Sequence, residues 1–431
     1  MNAVFLAIVL AAFAVAAIRQ FTWTGAADAA PMAELGKGMV DAATGSVTLA
    51  IGLVGVMALF LGLMKVAERG GLLVIIAKTL RPLLVRLFPE VPAEHPAMGA
   101  MILNMAANVL GLGNAATPFG IRAMQQLETL NARRGTATNA MALFLAINTS
   151  SITILPTGVI ALRAAAGSAD PAGIVPTTLF ATICSTAVAI VAAKFLEKRW
   201  AYLEAPPDEA ADASGPDDDL PDVPPAPEGS GGAYPLWVSV TALAGVAALV
   251  PLTVFFGREI APWIIPGLMV GLLSFGALRR VQVYEAFVEG AKDGFDVALR
   301  IIPYLVAILV AVGMFRASGA MALVIEPLGA LTTLVGLPPE ALPMALLRPL
   351  SGSGAYGIMA SIIQDPALGP DSYVGYLVST FQGSTETTFY VLAVYFGAIG
   401  IRRIRHALVA ALLADLAGVC GAVFIVNLLY G

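Results

Sequence analysis

Eleven apolar stretches, each 15 to 26 residues long, set the limits on what this chain can fold into. They cover residues 4–18, 47–66, 97–112, 140–162, 176–196, 236–256, 261–278, 297–315, 342–363, 374–399 and 407–429. A bilayer core about 30 Å thick is crossed by about 20 apolar residues in a helix. Inside lipid only helices and closed barrels satisfy their backbone. Barrel strands alternate polar and apolar residues, which these stretches do not. The reading is an all-α, polytopic membrane protein. Only 12% of the 431 residues are charged, against about a quarter in soluble domains, so a soluble enzyme is excluded. Cys184 and Cys420, both in apolar runs, support neither a disulfide framework nor a zinc site. No basic stripe points to nucleic acid.

The net charge of −5 misleads until it is divided. Between Glu204 and Glu228 lie nine acidic residues and no basic one, so the rest of the chain, with 24 basic and 20 acidic residues, carries +4. Residues 201–232 also hold seven prolines and end in Gly-Ser-Gly-Gly. Such a segment cannot bury a core and is expected to be a disordered tether. The expected organisation is therefore a first membrane repeat at 1–200, an acidic linker at 201–235 and a second membrane repeat at 236–431. The first run is expected to be a retained helix rather than a signal peptide, because residues 1–4 lack Lys and Arg and Arg19 lies beyond the run.

The two halves echo each other. Gly38-Met-Val-Asp41 corresponds to Gly290-Ala-Lys-Asp293, Pro82 to Pro327, and the cysteines occupy near-equivalent places in the last helix of each half. Residues 97–125 and 342–363 are expected to form re-entrant hairpins, and 140–162 and 374–399 broken spans. With the N-terminus and linker cytoplasmic and the C-terminus outside, 17 basic residues face the cytoplasm and five face outward, as the positive-inside rule requires. The second half opens with one more helix than the first, so the repeats are expected to have inverted topology. Inverted repeats with interrupted helices are a transporter architecture, with solute bound near the midplane.

Four polar clusters sit where plain membrane helices avoid polarity. The first runs from Asn104 through Asn108 and Asn114 to Thr117 and Pro118; it suits solute contact or small-residue helix packing. The second is Asn148, Thr149, Ser150 and Ser151 ahead of Pro156. Pro156 removes a helical hydrogen bond, and hydroxyls here either bind solute or repair the kink. The third is Gln382, Ser384, Thr385, Glu386 and Thr387, in which Glu386 is an ionisable group in mid-run. A membrane carboxylate is functional by default: it takes a proton, ligates a cation or accepts from substrate hydroxyls, unless it serves only to pair with Arg348. The fourth joins Arg348 to Ser351 and Ser353. Its Gly352-x-Gly354-x-x-Gly357 pattern is not a dinucleotide site, since no strand or βαβ unit surrounds it; the glycines suit a hairpin tip. Asp415, in the last helix, is a second candidate proton site or a helix partner. No nucleophile–base pair or metal-ligand spacing appears, so neither an enzyme nor a metal site is expected.

These residues carry a family resemblance. The stretches 104–118 and 148–151 resemble spore maturation protein A. Arg348-Pro-Leu-Ser-Gly-Ser-Gly354, Ser384-Thr-Glu-Thr-Thr-Phe389 and Gly400-Ile-Arg-Arg-Ile-Arg-His406 resemble spore maturation protein B. The chain thus looks like a fusion of the two, within the Gate, or nucleoside-recognition, superfamily that also holds concentrative nucleoside transporters and the membrane part of a ferrous-iron transporter. Gly383-Ser384-Thr385-Glu386 is similar to the nucleoside carriers' Gly-Gln-Thr-Glu tip, with Ser384 in place of Gln, and Asn148-Thr149-Ser150-Ser151 to their Asn-x-Ser-Ser break. The resemblance implies that Thr385, Glu386, Asn148, Ser150 and Ser151 contact substrate or ion. The expected function is a secondary-active carrier of a small polar solute, nucleoside-like or a small organic anion, coupled to Na+ or H+ and needing no other cofactor. A non-transporting scaffold or signalling protein of the spore-maturation type is the alternative. The expected setting is a bacterial inner membrane, with the lipid bilayer, the solute and further copies of the chain as partners.

Overall fold

The computed structural model describes residues 2–26, 30–111, 113–150, 153–200, 232–321, 323, 327, 329 and 332–431. The acidic tether at 201–231 and Ser151 lie outside the described residues. The side chain of Asn114 does too.

Among the described residues the regular structure is helical, and no strand is present beyond an isolated bridge between Thr136 and Arg403. The first half holds α1 (Asn2–Phe21), α2 (Pro31–Arg69), α3 (Leu72–Leu87), α4 (Pro96–Val109), α5 (Gly113–Glu128), α6 (Asn139–Thr149), α7 (Thr157–Ala165) and α8 (Ile174–Arg199). The second holds α9 (Leu236–Leu278), α10 (Val283–Ala317), α11 (Leu342–Leu347), α12 (Gly352–Ile363), α13 (Tyr373–Ser384), α14 (Thr388–Gly397) and α15 (Ala407–Tyr430). Of these, α2, α8 and α15 are each long and apolar enough to cross a bilayer. The chain is a multi-pass membrane protein.

The hairpins and breaks fall where the sequence places them. Helices α4 and α5 are joined through a turn at residues 110 and 111, and α11 and α12 turn at 348–351. Gly111 has φ 74°, a conformation open to glycine and strained for a side chain. The broken spans are α6, which ends at Thr149, with α7, which starts at Thr157, and α13 with α14, parted at 385–387. Side-chain caps start several of these helices: Thr138 accepts from Met141 N at 3.2 Å, Ser372 from Gly375 N at 2.9 Å and Ser351 from Gly354 N at 3.0 Å.

Two elements are longer than their apolar runs. The runs at 47–66 and 297–315 become α2 and α10, because the polar residues before them continue the helix and pack against the other half. The two helices run antiparallel in close contact. A Cβ on Gly294 would lie 2.7 Å from Ala58 Cα, and one on Gly313 would lie 3.0 Å from Ala42 Cβ. Only glycine permits that approach. The contacts are reciprocal: Gly38 meets Gly313, and Gly62 meets Gly290.

The runs at 236–256 and 261–278, expected as two helices, form one helical element kinked at Phe256 (φ −124°, ψ 16°). A straight helix of 43 residues is about 65 Å long, yet both ends of α9 reach residues 70–79. Tyr234 N donates to Lys78 O at 3.1 Å, Ser239 Oγ to Thr79 O at 2.6 Å, and Arg279 Nε to Gly70 O at 3.0 Å. The element therefore doubles back, as two spans would.

Both halves contribute to each of two apolar cores. One gathers α3, α4, α5 and α6 with α14 and the start of α15. The other gathers α2 and α7 with α10 to α13 and the end of α15. Polar links mark the two ends of the molecule. At one end Arg402 N and Arg403 N bind Gly135 O, and Arg405 binds Ala137 O, Asn139 Oδ1 and Trp200 O. At the other, Arg163 binds Asp371 and Pro370 O, and Arg316 binds Asp365. The start of α6 thus lies beside the end of α14, and the end of α7 beside the start of α13. The broken spans are antiparallel neighbours.

Candidate functional site

Antiparallel neighbours with interruptions at matching depth bring their interruptions together. The backbone N–H of Glu386 donates to Thr149 O at 2.8 Å, joining the break of one half to that of the other. Each hairpin tip closes on the break of its own half. In the first half Ile154 N donates to Val109 O at 3.3 Å, and Gly111 lies against Leu155 O. In the second, Phe389 N donates to Pro349 O at 3.0 Å. Backbone groups freed by the breaks are thus partly satisfied by the neighbouring element, which lets non-helical backbone sit at membrane depth.

The asparagines of the first two clusters form one network. Asn108 Nδ2 donates to Asn148 Oδ1 at 2.9 Å, and Asn148 Nδ2 to Phe144 O at 2.9 Å. Asn104 Nδ2 donates to Ala116 O at 2.7 Å and to Tyr395 OH at 3.2 Å. That hydroxyl in turn donates to Asn148 Oδ1 at 3.3 Å. Tyr395, buried on α14, ties the first hairpin and the first break to the second half. It is missed by motif reading, although a tyrosine hydroxyl in an apolar run signals a buried partner. A side chain at Gly120 would collide with that hydroxyl.

Thr149 and Ser150 are fully buried and turn their hydroxyls back onto Ala146 O and Ile147 O, at 2.9 and 2.8 Å. Ser150 Oγ also shares a 2.9 Å hydrogen bond with Thr186 Oγ1, and Thr182 Oγ1 donates to Ser150 O. In this conformation these hydrogen bonds close the end of α6 and tie it to α8. Thr117 is half-buried on α5.

Arg348, at the second hairpin tip and 5% exposed, organises the other break. Its guanidinium donates to Thr387 Oγ1 at 3.0 Å, to Gln382 O at 3.2 Å and to Thr385 O. Its Nη2 lies 3.7 Å from Glu386 Oε2. The pair is asymmetric, for the Glu386 side chain is 51% exposed while Arg348 is buried. The break therefore presents a half-solvated carboxylate backed by a buried cation. Ser384, fully buried, has no hydrogen-bond partner for its hydroxyl among the described residues, nor has Gln382 Oε1. Asp415 accepts from Thr388 Oγ1 at 2.6 Å. Ser351 serves as the cap of α12, and Ser353 is exposed on its first turn. Among the described residues no cluster of His, Cys, Asp and Glu could hold a metal ion.

The family model described as Gate, nucleoside recognition, matches residues 50–166 and 298–402, and each block takes in one hairpin and one broken span. The chain belongs to the Gate nucleoside-recognition family. Among its relatives, spore maturation protein B of Bacillus subtilis (strain 168) is 47% identical over 177 residues, 40% of this chain and 98% of that protein. Spore maturation protein A of the same organism is 44% identical over 166 residues, 38% of this chain and 85% of that protein. An outward-facing structure of a doubly substituted CNTnw, a concentrative nucleoside transporter, aligns at 13% identity with a TM-score of 0.41, over all of this chain and 97% of that one.

Proposed function

We propose that this Gate-family protein is a secondary-active carrier that binds a small polar solute, nucleoside-like or a small organic anion, where its two breaks meet. One observation carries the reading: unwound backbone from both halves joins at Thr149 and Glu386, beside a half-exposed carboxylate backed by a buried arginine. A joint between halves is where a relative movement alters exposure, which is what alternating access needs. The reciprocal Gly38–Gly313 and Gly62–Gly290 contacts support two repeats of inverted topology. In the proposed working form Na+ or H+ supplies the driving force, no other cofactor takes part and no chemistry is catalysed. The N-terminus and linker lie in the cytoplasm of a bacterium, with the C-terminus beyond its inner membrane.

The solute contacts are Glu386, Thr385 and Gln382 on one side and Asn148, Thr149, Ser150 and Ser151 on the other, with Asn108 and Arg348 behind them. The test is thermal stabilisation of the purified protein by nucleosides and small organic anions. At a hundredfold excess over Kd, stabilisation is about 2.7 kcal/mol. The reading expects at least one such solute, and loss of its effect in Glu386→Gln. It fails if none stabilises the protein or if Glu386→Gln responds like wild type. The alternative, a scaffold or signalling protein that moves nothing, draws on the two spore maturation relatives; the absence of any solute response would favour it.

A further inference from the structure

Behind the Arg348–Glu386 pair lies a second carboxylate. Asp415, on α15, is 5% exposed. Its Oδ2 is engaged by the Thr388 hydroxyl, while Oδ1 has no hydrogen-bond partner among the described residues. Two more buried polar atoms without such a partner, Ser384 Oγ and Arg348 Nε, belong to residues lining the same small cavity. Ala345, Pro349, Phe381, Thr385 and Val419 complete its wall, and at about 10 Å³ it has room for about one water.

We infer that Asp415 is the binding site of the coupling proton and that Arg348 transmits its charge state to Glu386. The inference deepens the carrier reading and rests on it for the role of the proton. A metal cation does not suit the cavity. Hard cations take about six oxygen ligands, whereas the uncommitted oxygens on these side chains are Asp415 Oδ1 and Ser384 Oγ, with a guanidinium in the wall. One proton needs one oxygen. Proton uptake takes one H+ from bulk solvent and forms an O–H bond at Oδ1, and the carboxylate goes from −1 to neutral. Ser384, whose hydroxyl also lacks a partner among the described residues, lines the same cavity. While Asp415 is charged, Arg348, paired with Glu386, faces a second negative charge across the cavity that Arg348 and Asp415 both line. Once it is neutral, Glu386 alone balances Arg348, and the pair tightens at the surface of the break. Proton binding at Asp415 and ligand binding at Glu386 are thereby linked, and linkage is reciprocal.

The surroundings keep this relation simple. From α8, Ser185 and Cys184 face α15 around Gly418 and Gly421, while Lys194 and Glu197 pair with each other at the far end. Helix α6 brings no titratable side chain. Helix α13 contributes Ser384, and its Tyr376 lies at the other end, stacked on Tyr430. Helix α14 contributes Thr388 together with Tyr390 and Tyr395, the latter hydrogen-bonded to Asn104. Arg405 and His406 precede α15, more than two turns from Asp415. Among the described residues of these elements, Arg348 and its partner Glu386 are thus the charges beside Asp415.

Infrared titration of the full-length protein in lipid nanodiscs, with isotope-labelled aspartate, tests this without any solute. The expected result is one aspartic-acid carboxyl band that is lost as pH rises and is absent from Asp415→Asn. In Glu386→Gln, Arg348 serves Asp415 alone, so the band is lost about one pH unit lower, a tenfold weaker proton affinity. Thr388→Val removes a donor to the charged form and moves the loss upward, which keeps the test open should Asp415→Asn fail to fold. The inference is overturned if no such band titrates, if Glu386→Gln leaves it unmoved, or if Na+ at constant pH removes it. Failure here leaves solute binding at the breaks intact, and failure to bind solute leaves this titration intact.

Discussion

Glu386 and Thr149 lie 237 positions apart in the sequence, and one backbone hydrogen bond of 2.8 Å joins them. Each belongs to an interruption of a membrane-depth helix, and each interruption leaves polar backbone in need of partners. The bond satisfies one donor and one acceptor and places the Glu386 side chain at the junction. A functional site made this way needs both halves, since neither half holds two such breaks.

Arg348 holds the second break in shape, and its loss is expected to unfold it locally. Arg348→Ala leaves Thr387 Oγ1, the carbonyls of Gln382 and Thr385, and the Glu386 carboxylate without their donor. Removing one partner of a buried, hydrogen-bonded charge costs about 3–5 kcal/mol; half-exposure of Glu386 brings the expected cost to the lower end. Arg348→Lys retains the charge but not the fork of donors, and should recover less than half of the loss. Thermal unfolding in detergent measures both.

Tyr395 bridges the two halves through Asn104 and Asn148. Tyr395→Phe keeps the ring and its packing against Phe144, and should cost about 1–2 kcal/mol for the lost hydroxyl. Gly120→Ala, which sets a methyl where that hydroxyl lies, should cost at least as much. Combined, the two changes should depart from additivity, because both act on one contact: Tyr395→Phe removes the hydroxyl clash but leaves the methyl against ring Cζ and Cε1. A double-mutant cycle on unfolding temperature checks this.

His406, fully buried before α15, carries two ring nitrogens without a hydrogen-bond partner among the described residues. Burial, with Arg405 nearby, pushes its pKa down from 6.5 to about 4. The folded state therefore binds the proton more weakly than the unfolded chain. His406 supports stability fully above about pH 6.5 and loses that support as pH falls toward 4, by up to about 3 kcal/mol. His406→Gln should flatten this part of the pH–stability curve relative to wild type. Parallel curves for the two proteins would refute it.

The end-to-end segregation of basic residues predicts which surface each loop meets. A cysteine appended after Gly431 should react with a membrane-impermeant thiol reagent added outside intact cells, and one at Arg403 should react only after permeabilisation. The opposite pattern would reverse the topology.

Much of the fold was legible because lipid imposes one rule throughout: apolar runs of a set length become spans. Glycine and proline inside those runs marked the hairpin turns at 110–111 and 348–351, the break between α6 and α7, and the break at 385–387. Helix length was less legible, since α2 and α10 extend into polar sequence held by packing between the halves. The kink at Phe256, next to Gly257, falls between the two expected helices. At the site, Arg348 and Glu386 stood out as charges in apolar surroundings. Tyr395 did not, because its role comes from Asn104 and Asn148, hundreds of positions away.

A structure determined with a stabilising solute present tests the central claim most directly. The expected result is solute density at the junction of the two breaks, within hydrogen-bonding reach of Glu386 and Ser150. Density only in the open cleft lined by Thr44, Thr48, Gln364 and Asp365, or a closed junction at saturating solute, would contradict it.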